Sequence, residues 1–388
     1  MKIATILGTR PEIIKLSSMI LFCEQEKLDY FIIHTNQHYA ENLDKIFFKE
    51  LHLPDPQYHL KVGSGKHGWQ TGTMMMRIES VLEMEKPDVV LVQGDTNSVL
   101  AGTLAAVKMG IKIGHVEAGL RSYDWTMPEE INRVIVDHIA DWLFCPTEIQ
   151  RQTLLREGVD HQKIFVTGNT VVDAVMLAQR TANKDILNKY NLNKRNYVLL
   201  TMHRPSNVDE KEILALQLNN ISLLAIKFGV SILYPIHPRT QAKIDEFKLD
   251  IPFNIKTIQP VGYLEMVSLQ RHAKIILTDS GGVQEEACVL RVPTLCLRKT
   301  TDRPESVDVG ASKVVGTDLY KLLDGFDYYN KLTVFNWANP YGNGTAYKKI
   351  MRDLKRNFSS ETYLEEAENK KRFLESSQLR QMLTINTV

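Results

Sequence analysis

The sequence predicts an α/β protein built from two Rossmann-like doubly wound parallel-sheet domains, with the working site in the cleft between them. Three observations carry this. Short β-branched runs alternate with stretches of helical periodicity along most of the chain, as expected for parallel strands joined by crossover helices. The alternation stops in a polar, Asn/Lys-rich segment around 180–196 and then begins again, so the pattern is run through twice. The length, 388 residues, exceeds one ordinary core at roughly 150 residues per domain.

The first half reads as strands at KIATIL (2–7), YFIIHT (30–35), VVLVQ (89–93), IKIGHV (111–116), WLFCP (142–146) and IFVTG (164–168). The second half restarts with YVLLTM (197–202), SILYPI (231–236), IKTIQ (255–259), KIILTD (274–279) and TLCLR (294–298). Ligands on such sheets bind beyond the carboxyl ends of the strands, and two such sheets place the site between domains. The N-terminal MKIATILGTRPE reads as a first strand and not as a signal peptide. The segment after Phe358 is charged and helical in pattern, with no chemistry assigned to it.

Composition narrows the function classes. A formal net charge of +1 gives no argument for nucleic acid or an acidic membrane surface, and no apolar run approaches the ~20 residues of a membrane span. Cys23, Cys145, Cys288 and Cys296 are widely spaced and read as reduced, buried thiols of a cytoplasmic protein, with no metal site among them.

Chemistry-bearing residues cluster at strand ends. In TDSGGVQEEA (278–287), Ser280-Gly281-Gly282 forms the turn from a strand into a helix whose first N–H groups lack partners. Such an end accepts an anion, and Glu286 one turn inside fits a ribose diol, so a nucleotide suits the stretch. The alternative is a tight turn with acids in the first helical turn, which helix stability alone explains. RKTTDRPES (298–306) supplies Arg298 and Arg303, suited to bidentate phosphate contacts, and TMHRPSN (201–207) puts His203 and Arg204 at another strand end.

The first half has a complementary set. GTRPEIIK (8–15) offers Arg10 and Lys15, QGDTNS (93–98) offers Asp95, HVEAGLRS (115–122) offers Glu117, and MPEEINRVIVDH (127–138) opens a helix with Glu129 and Glu130. Any one of these acids alone reads as a cap or surface group. Several converging on one cleft suggest proton transfer at tuned, raised pKa values. Arg133 and Asp137, at i and i+4, are expected to pair with each other. GSGKHG (63–68) matches G-x-G-x-x-G but neither follows the first strand nor precedes a suitably spaced acid, so it reads as a loop rimming the cleft and not as a nicotinamide fingerprint.

In this order, GTRPEIIK, QGDTNSVLAG, HVEAGLRS, MPEEINR, HRPSNVD, LTDSGGVQEEA and RKTTDRPES resemble the non-hydrolysing UDP-N-acetylglucosamine 2-epimerases, over nearly all of residues 1–358. The resemblance implies a glycosyltransferase B-type arrangement and a homodimer. It implies a first domain of 1–175 completed by a returning helix around 344–358, a UDP-binding domain of 176–343, and a tail, 359–388, outside the family's extent. It also implies interconversion of UDP-N-acetylglucosamine and UDP-N-acetylmannosamine through a 2-acetamidoglucal, without NAD or metal. By motif position, Arg10, Lys15, Asp95, Glu117, Glu129 and His203 correspond to the catalytic cleft. Ser280, Gly281, Gly282 and Glu286 fall in the motif of the diphosphate and ribose contacts, and Arg303 matches a conformationally important arginine. Gln37, Gln70 and His237 fall in loops matching an effector site for the substrate itself. Where some bacterial members read His-Arg-Arg-Glu, this chain reads His203-Arg204-Pro205-Ser206. The rival readings are a 2-epimerase of a 2,3-diacetamido uronic or 6-deoxy sugar, a glycosyltransferase of the same fold, and a non-catalytic nucleotide-sugar sensor.

Overall fold

The computed structural model describes residues 1–37, 41–181 and 185–359. The first sheet is built by β1 (Ile3–Leu7), α1 (Arg10–Gln25), β2 (Tyr30–His34), α2 (Glu41–Glu50), β3 (Tyr58–His59), α3 (His67–Glu85), β4 (Val89–Gln93), α4 (Asn97–Lys108), β5 (Lys112–Val116), α5 (Pro128–Ile139), β6 (Trp142–Cys145), α6 (Glu148–Arg156) and β7 (Ile164–Val166). After α7 (Thr170–Thr181) and α8 (Ile186–Tyr190) the second sheet follows, with β8 (Tyr197–Thr201), α9 (Pro205–Val208), α10 (Lys211–Phe228), β9 (Ser231–Pro235), α11 (Pro238–Phe247), β10 (Ile255–Ile258), α12 (Tyr263–His272), β11 (Ile275–Thr278), α13 (Gly281–Val289), β12 (Thr294–Cys296), α14 (Pro304–Asp308), β13 (Ser312–Val314) and α15 (Leu319–Lys331). A last helix, α16, spans 346–359.

Each run read as a strand contains one, because parallel strands covered on both faces are apolar throughout: β1, β4 and β8 are buried at every position. The edge strands β3 and β13, two and three residues long, are too short to leave a pattern. Among the described residues the sheets run β3-β2-β1-β4-β5-β6-β7 and β10-β9-β8-β11-β12-β13, all parallel. Each sheet starts in the middle, winds to one edge and returns to the other side of its first strand. The two switch points, β1/β4 and β8/β11, are therefore where a crevice opens and a ligand fits.

The segment 180–196 corrects the expectation of a plain linker. It holds α8, whose Ile186 is buried, with Leu187, Tyr190 and Leu192 packed onto the same apolar cluster. Four apolar side chains at helical spacing were masked by their Asn/Lys-rich surroundings. That cluster joins the two halves: Ile13 of α1 and Ala174 and Val175 of α7 share it with Val267 of α12 and Ala287 of α13. Ile350, Met351 and Leu354 of α16 belong to it beside Ile3 and Leu7 of β1. The two chain crossings touch, since the Asn169 amide donates to the Tyr341 carbonyl at 2.9 Å. The four cysteines are free and buried. No helix among the described residues is long and apolar enough to cross a membrane. The charged tail falls, from residue 360 on, outside the described residues.

Candidate active site

The carboxyl ends of β1, β4 and β5 arm the first domain. Arg10 opens α1 with Pro11 behind it, and its guanidinium lies 5.2 Å from the Phe47 ring centroid, exposed at the cleft. Glu12, one turn in, accepts from the Gly8 and Thr9 amides, each at 2.7 Å, and from the Thr96 hydroxyl at 2.5 Å. It thereby fastens the loop after β1 to the loop after β4, and burial pushes its pKa up to about 7. Asp95 follows β4 and pairs with Arg133 of α5, which also reaches Glu130 at 3.0 Å. The expected Arg133–Asp137 pair does not form. Asp137 is buried against β5, where it meets His115 at 2.8 Å and Arg121 at 2.6 Å, so it is satisfied from outside its own helix. Glu130 holds the Ser122 and Tyr123 amides, each at 2.9 Å, and is structural. Glu129, half-exposed, makes no side-chain hydrogen bond among the described residues.

Glu117 directly follows β5 with φ 70, a left-handed conformation unusual for a side chain of this kind. It takes Lys15 at 2.5 Å, the Gln93 amide at 2.9 Å and Arg303 at 3.4 Å. Burial alone would raise its carboxyl, but the Lys15 ammonium and the Arg303 guanidinium outweigh that and hold it below the usual carboxylate range. This corrects the expectation that a buried acid here has a raised pKa: the cations arrive from sequence positions far from Glu117.

The second domain brings His203 and Ser280 to the β8/β11 switch point. Asp279, at the end of β11, accepts from the His203 and Arg204 amides, both at 2.9 Å, and from the Asn207 side chain at 3.0 Å, fixing the loop that carries His203. The His203 ring stacks on His237 with centroids 5.2 Å apart. Burial lowers the pKa of His203, opposed by Asp279 and assisted by Arg204, Arg10 and Arg239. His237 falls to about 4, through burial and then the neighbouring His203, Arg10 and Arg239. Both rings are therefore neutral at pH 7.

Ser280 caps α13, its hydroxyl accepting from the Val283 amide at 3.4 Å. Among the described residues and outside its own helix backbone, a Cβ on Gly282 would meet only the Ser280 hydroxyl, 3.9 Å away, whereas one on Gly281 would come within 3.3 Å of Asp302 and 3.6 Å of the Arg303 guanidinium carbon. Gly281 thus permits packing inside the domain, and Gly282 faces open space at a helix end suited to an anion. Glu286 accepts from Gln270 at 2.5 Å, and burial raises its pKa to about 7. The arginines do not present free forks: Arg298 pairs with Asp302 at 2.8 Å, and Arg303 is committed to Glu285, Glu117 and Asp302.

Glu285 was missed by sequence reasoning, which took its neighbour Glu286 as the side chain facing the ligand. Buried, it forms ion pairs with Arg303 at 2.5 Å and Lys15 at 3.2 Å and accepts from Asn169 at 3.0 Å. Two more links across the cleft also left no sequence signal. Gln150 donates to Glu305 at 2.6 Å, and Glu50, the last residue of α2, accepts from the Tyr263 amide at 2.8 Å at the start of α12. Gln37 and Gln70 are joined, the Gln70 side chain donating to the Gln37 carbonyl at 3.0 Å. Gln70 lies in the first turn of α3 and not in a loop, while His237 caps α11. GSGKHG is the turn into α3 after the edge strand β3, and its His67 ring meets the Asn97 side chain at 3.1 Å at the start of α4, close to the carboxyl end of β4.

The profile of the UDP-N-acetylglucosamine 2-epimerase family matches residues 22–355. The UDP-N-acetylglucosamine 2-epimerase of Methanocaldococcus jannaschii is 53% identical over 363 residues, covering 91% of this chain and 99% of its own. Its crystal structure in complex with UDP-GlcNAc and UDP superposes with a TM-score of 0.85, at 52% identity, over 92% of this chain and 100% of the other. The UDP-2,3-diacetamido-2,3-dideoxy-D-glucuronate 2-epimerase of Pseudomonas aeruginosa is 39% identical over 358 residues, covering 91% of this chain and 99% of its own. With matches running through both sheets and the cleft between them, this chain belongs to the UDP-N-acetylglucosamine 2-epimerase family.

Proposed function

We propose that this protein interconverts UDP-N-acetylglucosamine and UDP-N-acetylmannosamine at C2 by eliminating and re-adding UDP. The observation that carries the reading is the meeting of two kinds of site at one guanidinium. Arg303 lies against the Gly281 turn at the anion-ready end of α13 and, 3.4 Å away on another side, against Glu117 of the opposite domain. A UDP-sugar with its diphosphate at Ser280–Gly282 and its ribose near Glu286 reaches the acids of the first domain with its sugar ring. The higher identity to the M. jannaschii enzyme, 53% against 39% for the diacetamido-sugar enzyme, favours the monoacetamido substrate.

The C2 proton is not beside a ketone, so its removal must be coupled to departure of UDP. A cleft carboxylate takes the proton, the C2–H electrons form the C1–C2 double bond, and the C1–O pair leaves with UDP, giving a 2-acetamidoglucal. Protonation of C2 from the other face and attack of a UDP oxygen on C1 complete the inversion. Asp95, Glu117 and Glu129 provide the proton-transfer groups. Arg10, neutral His203 and the α13 end stabilise the leaving charge, Arg10 acting electrostatically on both His203 and Glu286. Residues 1–175 with the returning helix bear the acids, and 176–343 bear the UDP site. Gln37, Gln70 and His237 serve a second substrate molecule as effector.

We further infer a homodimer through α3, α5 and the loop leading into α5, where Trp69, Met76, Tyr123, Trp125, Ile131 and Ile135 leave apolar side chains exposed. A monomeric mass by light scattering counts against that. Incubation with UDP-N-acetylglucosamine alone tests the activity. Formation of UDP-N-acetylmannosamine without any acceptor supports an epimerase. Turnover that requires an acceptor sugar identifies a glycosyltransferase, and turnover confined to the diacetamido uronic sugar identifies the other epimerase.

A further inference from the structure

Elimination and re-addition give Glu285 no task, yet it sits at the centre of the cleft. Lys15 and Glu117 come from the first domain and Glu285 and Arg303 from the second. The pairs within a domain are short, 2.5 Å for Lys15–Glu117 and 2.5 Å for Arg303–Glu285. The pairs across the cleft are longer, 3.2 Å for Lys15–Glu285 and 3.4 Å for Arg303–Glu117. Each domain therefore contributes a neutral pair, and the two pairs meet as a ring of alternating charge. Each member faces an opposite charge within its own domain, although burial still pushes the Glu285 carboxyl up against the pull of Arg303 and Lys15. Glu285 is also held by Asn169, whose own amide donates to Tyr341, so the ring is tied to the place where both chain crossings run between domains.

We propose that Glu285 is a positioning residue for the epimerisation: it holds Lys15 and Arg303 around Glu117 when the domains meet, and couples that arrangement to the crossing through Asn169. This rests on the reading of Glu117 as a proton-transfer group of a UDP-sugar epimerase. Without the Glu285 charge, Lys15 keeps Glu117 as its ion-pair partner and Arg303 keeps Glu117 and Asp302, so both cations pull more strongly on Glu117. The other groups acting on this ring are Arg133 on Glu117, and Glu286, Tyr341 and Cys288 against Glu285, with Asp302 beside Arg303. None of them replaces the lost charge between Lys15 and Arg303.

The test compares Glu285→Gln and Glu285→Asp with the unaltered enzyme, reading kcat across pH and UDP affinity by calorimetry. Glu285→Gln is expected to lower kcat by about 10²-fold, the scale of a small misplacement of reacting groups, with UDP affinity unchanged. Its acid limb should move to lower pH, because Lys15 and Arg303 then favour the Glu117 carboxylate more strongly. Glu285→Asp keeps the charge on a shorter stem, so it should lose part of kcat and retain the unaltered limb. A merely structural glutamate would not separate the two variants by their limbs. Should Glu285→Gln fail to fold, Glu285→Asp decides: full kcat overturns the proposal. Full kcat and an unmoved limb in Glu285→Gln overturn it as well, as does a parallel loss of UDP affinity, which would make Glu285 a ligand contact. If the unaltered enzyme does not interconvert the sugars, the functional reading falls first. An active enzyme indifferent to Glu285 sinks only this proposal.

Discussion

Placing a methyl group at Gly282 separates ligand binding from folding more cleanly than any other change at the cleft. Among the described residues and outside its own helix backbone, an alanine Cβ there would have one protein neighbour within 4 Å, the Ser280 hydroxyl at 3.9 Å, so nothing in the fold has to move. Gly282 lies in the first turn of α13. Alanine is compatible with a helical backbone and restricts the unfolded chain, so Gly282→Ala should leave stability unchanged or raise it by about 0.4–1 kcal/mol. The same methyl projects where a diphosphate must approach to reach the free N–H groups of the helix. Hydrogen bonds to a charged group contribute about 1.5–3 kcal/mol each, so loss of one weakens UDP by roughly 10- to 100-fold. Isothermal calorimetry with UDP, beside a thermal unfolding curve, reads both effects. Gly281→Ala is the contrast, because its methyl lies 3.3 Å from Asp302 and should disturb the fold around Arg303. Unchanged UDP affinity in a natively folded Gly282→Ala protein would refute the assignment and return the turn to a purely structural role.

Asp95→Asn, Glu117→Gln and Glu129→Gln should each lower turnover by about 10²-fold or more, the usual scale for a general acid or base; near-normal turnover in all three would sink the proton-transfer assignment. Glu12 and Glu286 both have pKa values raised by burial from 4.5 to about 7, so the folded state holds their protons more tightly than the unfolded chain. The stability they contribute is fully present below about pH 4.5 and is lost as pH rises through about 7. Thermal midpoints of the ligand-free protein should therefore fall across that window, and Glu12→Gln and Glu286→Gln should each flatten the fall; identical slopes in all three proteins would contradict it. Glu50→Ala removes the cross-cleft acceptor from the Tyr263 amide and should cost about 0.5–2 kcal/mol of helix-end stabilisation, widening the cleft; an unchanged scattering profile and unfolding curve would show that Glu50 holds nothing together.

The strands were legible because parallel strands with helices on both faces are apolar throughout, as at VVLVQ, and their carboxyl ends mark where chemistry belongs. The strand-end motifs therefore pointed to one cleft before any contact was visible. The partners of each charge were not legible. Glu117 meets Arg303 across 186 positions, and Glu50 reaches Tyr263 across 213. Local spacing misled at Arg133, where a helix-face pair with Asp137 gave way to Asp95 and Glu130. It misled again at the two adjacent glutamates of α13. Glu286 continues the face that begins at Gly282, but successive helical residues point about 100° apart, which turns Glu285 toward the opposite domain. Only the docking of the domains shows that Glu285 has a partner there.

The central claim is that UDP leaves before C2 is reprotonated, and the hydrogen at C2 of the product tests it most directly. Conversion of UDP-N-acetylglucosamine in deuterium oxide, followed by proton NMR, should give UDP-N-acetylmannosamine with deuterium at C2, because the cleft acid that returns the proton exchanges with solvent. Free UDP and the 2-acetamidoglucal should accumulate slowly beside it. Product that keeps its original protium at C2 would contradict elimination and re-addition.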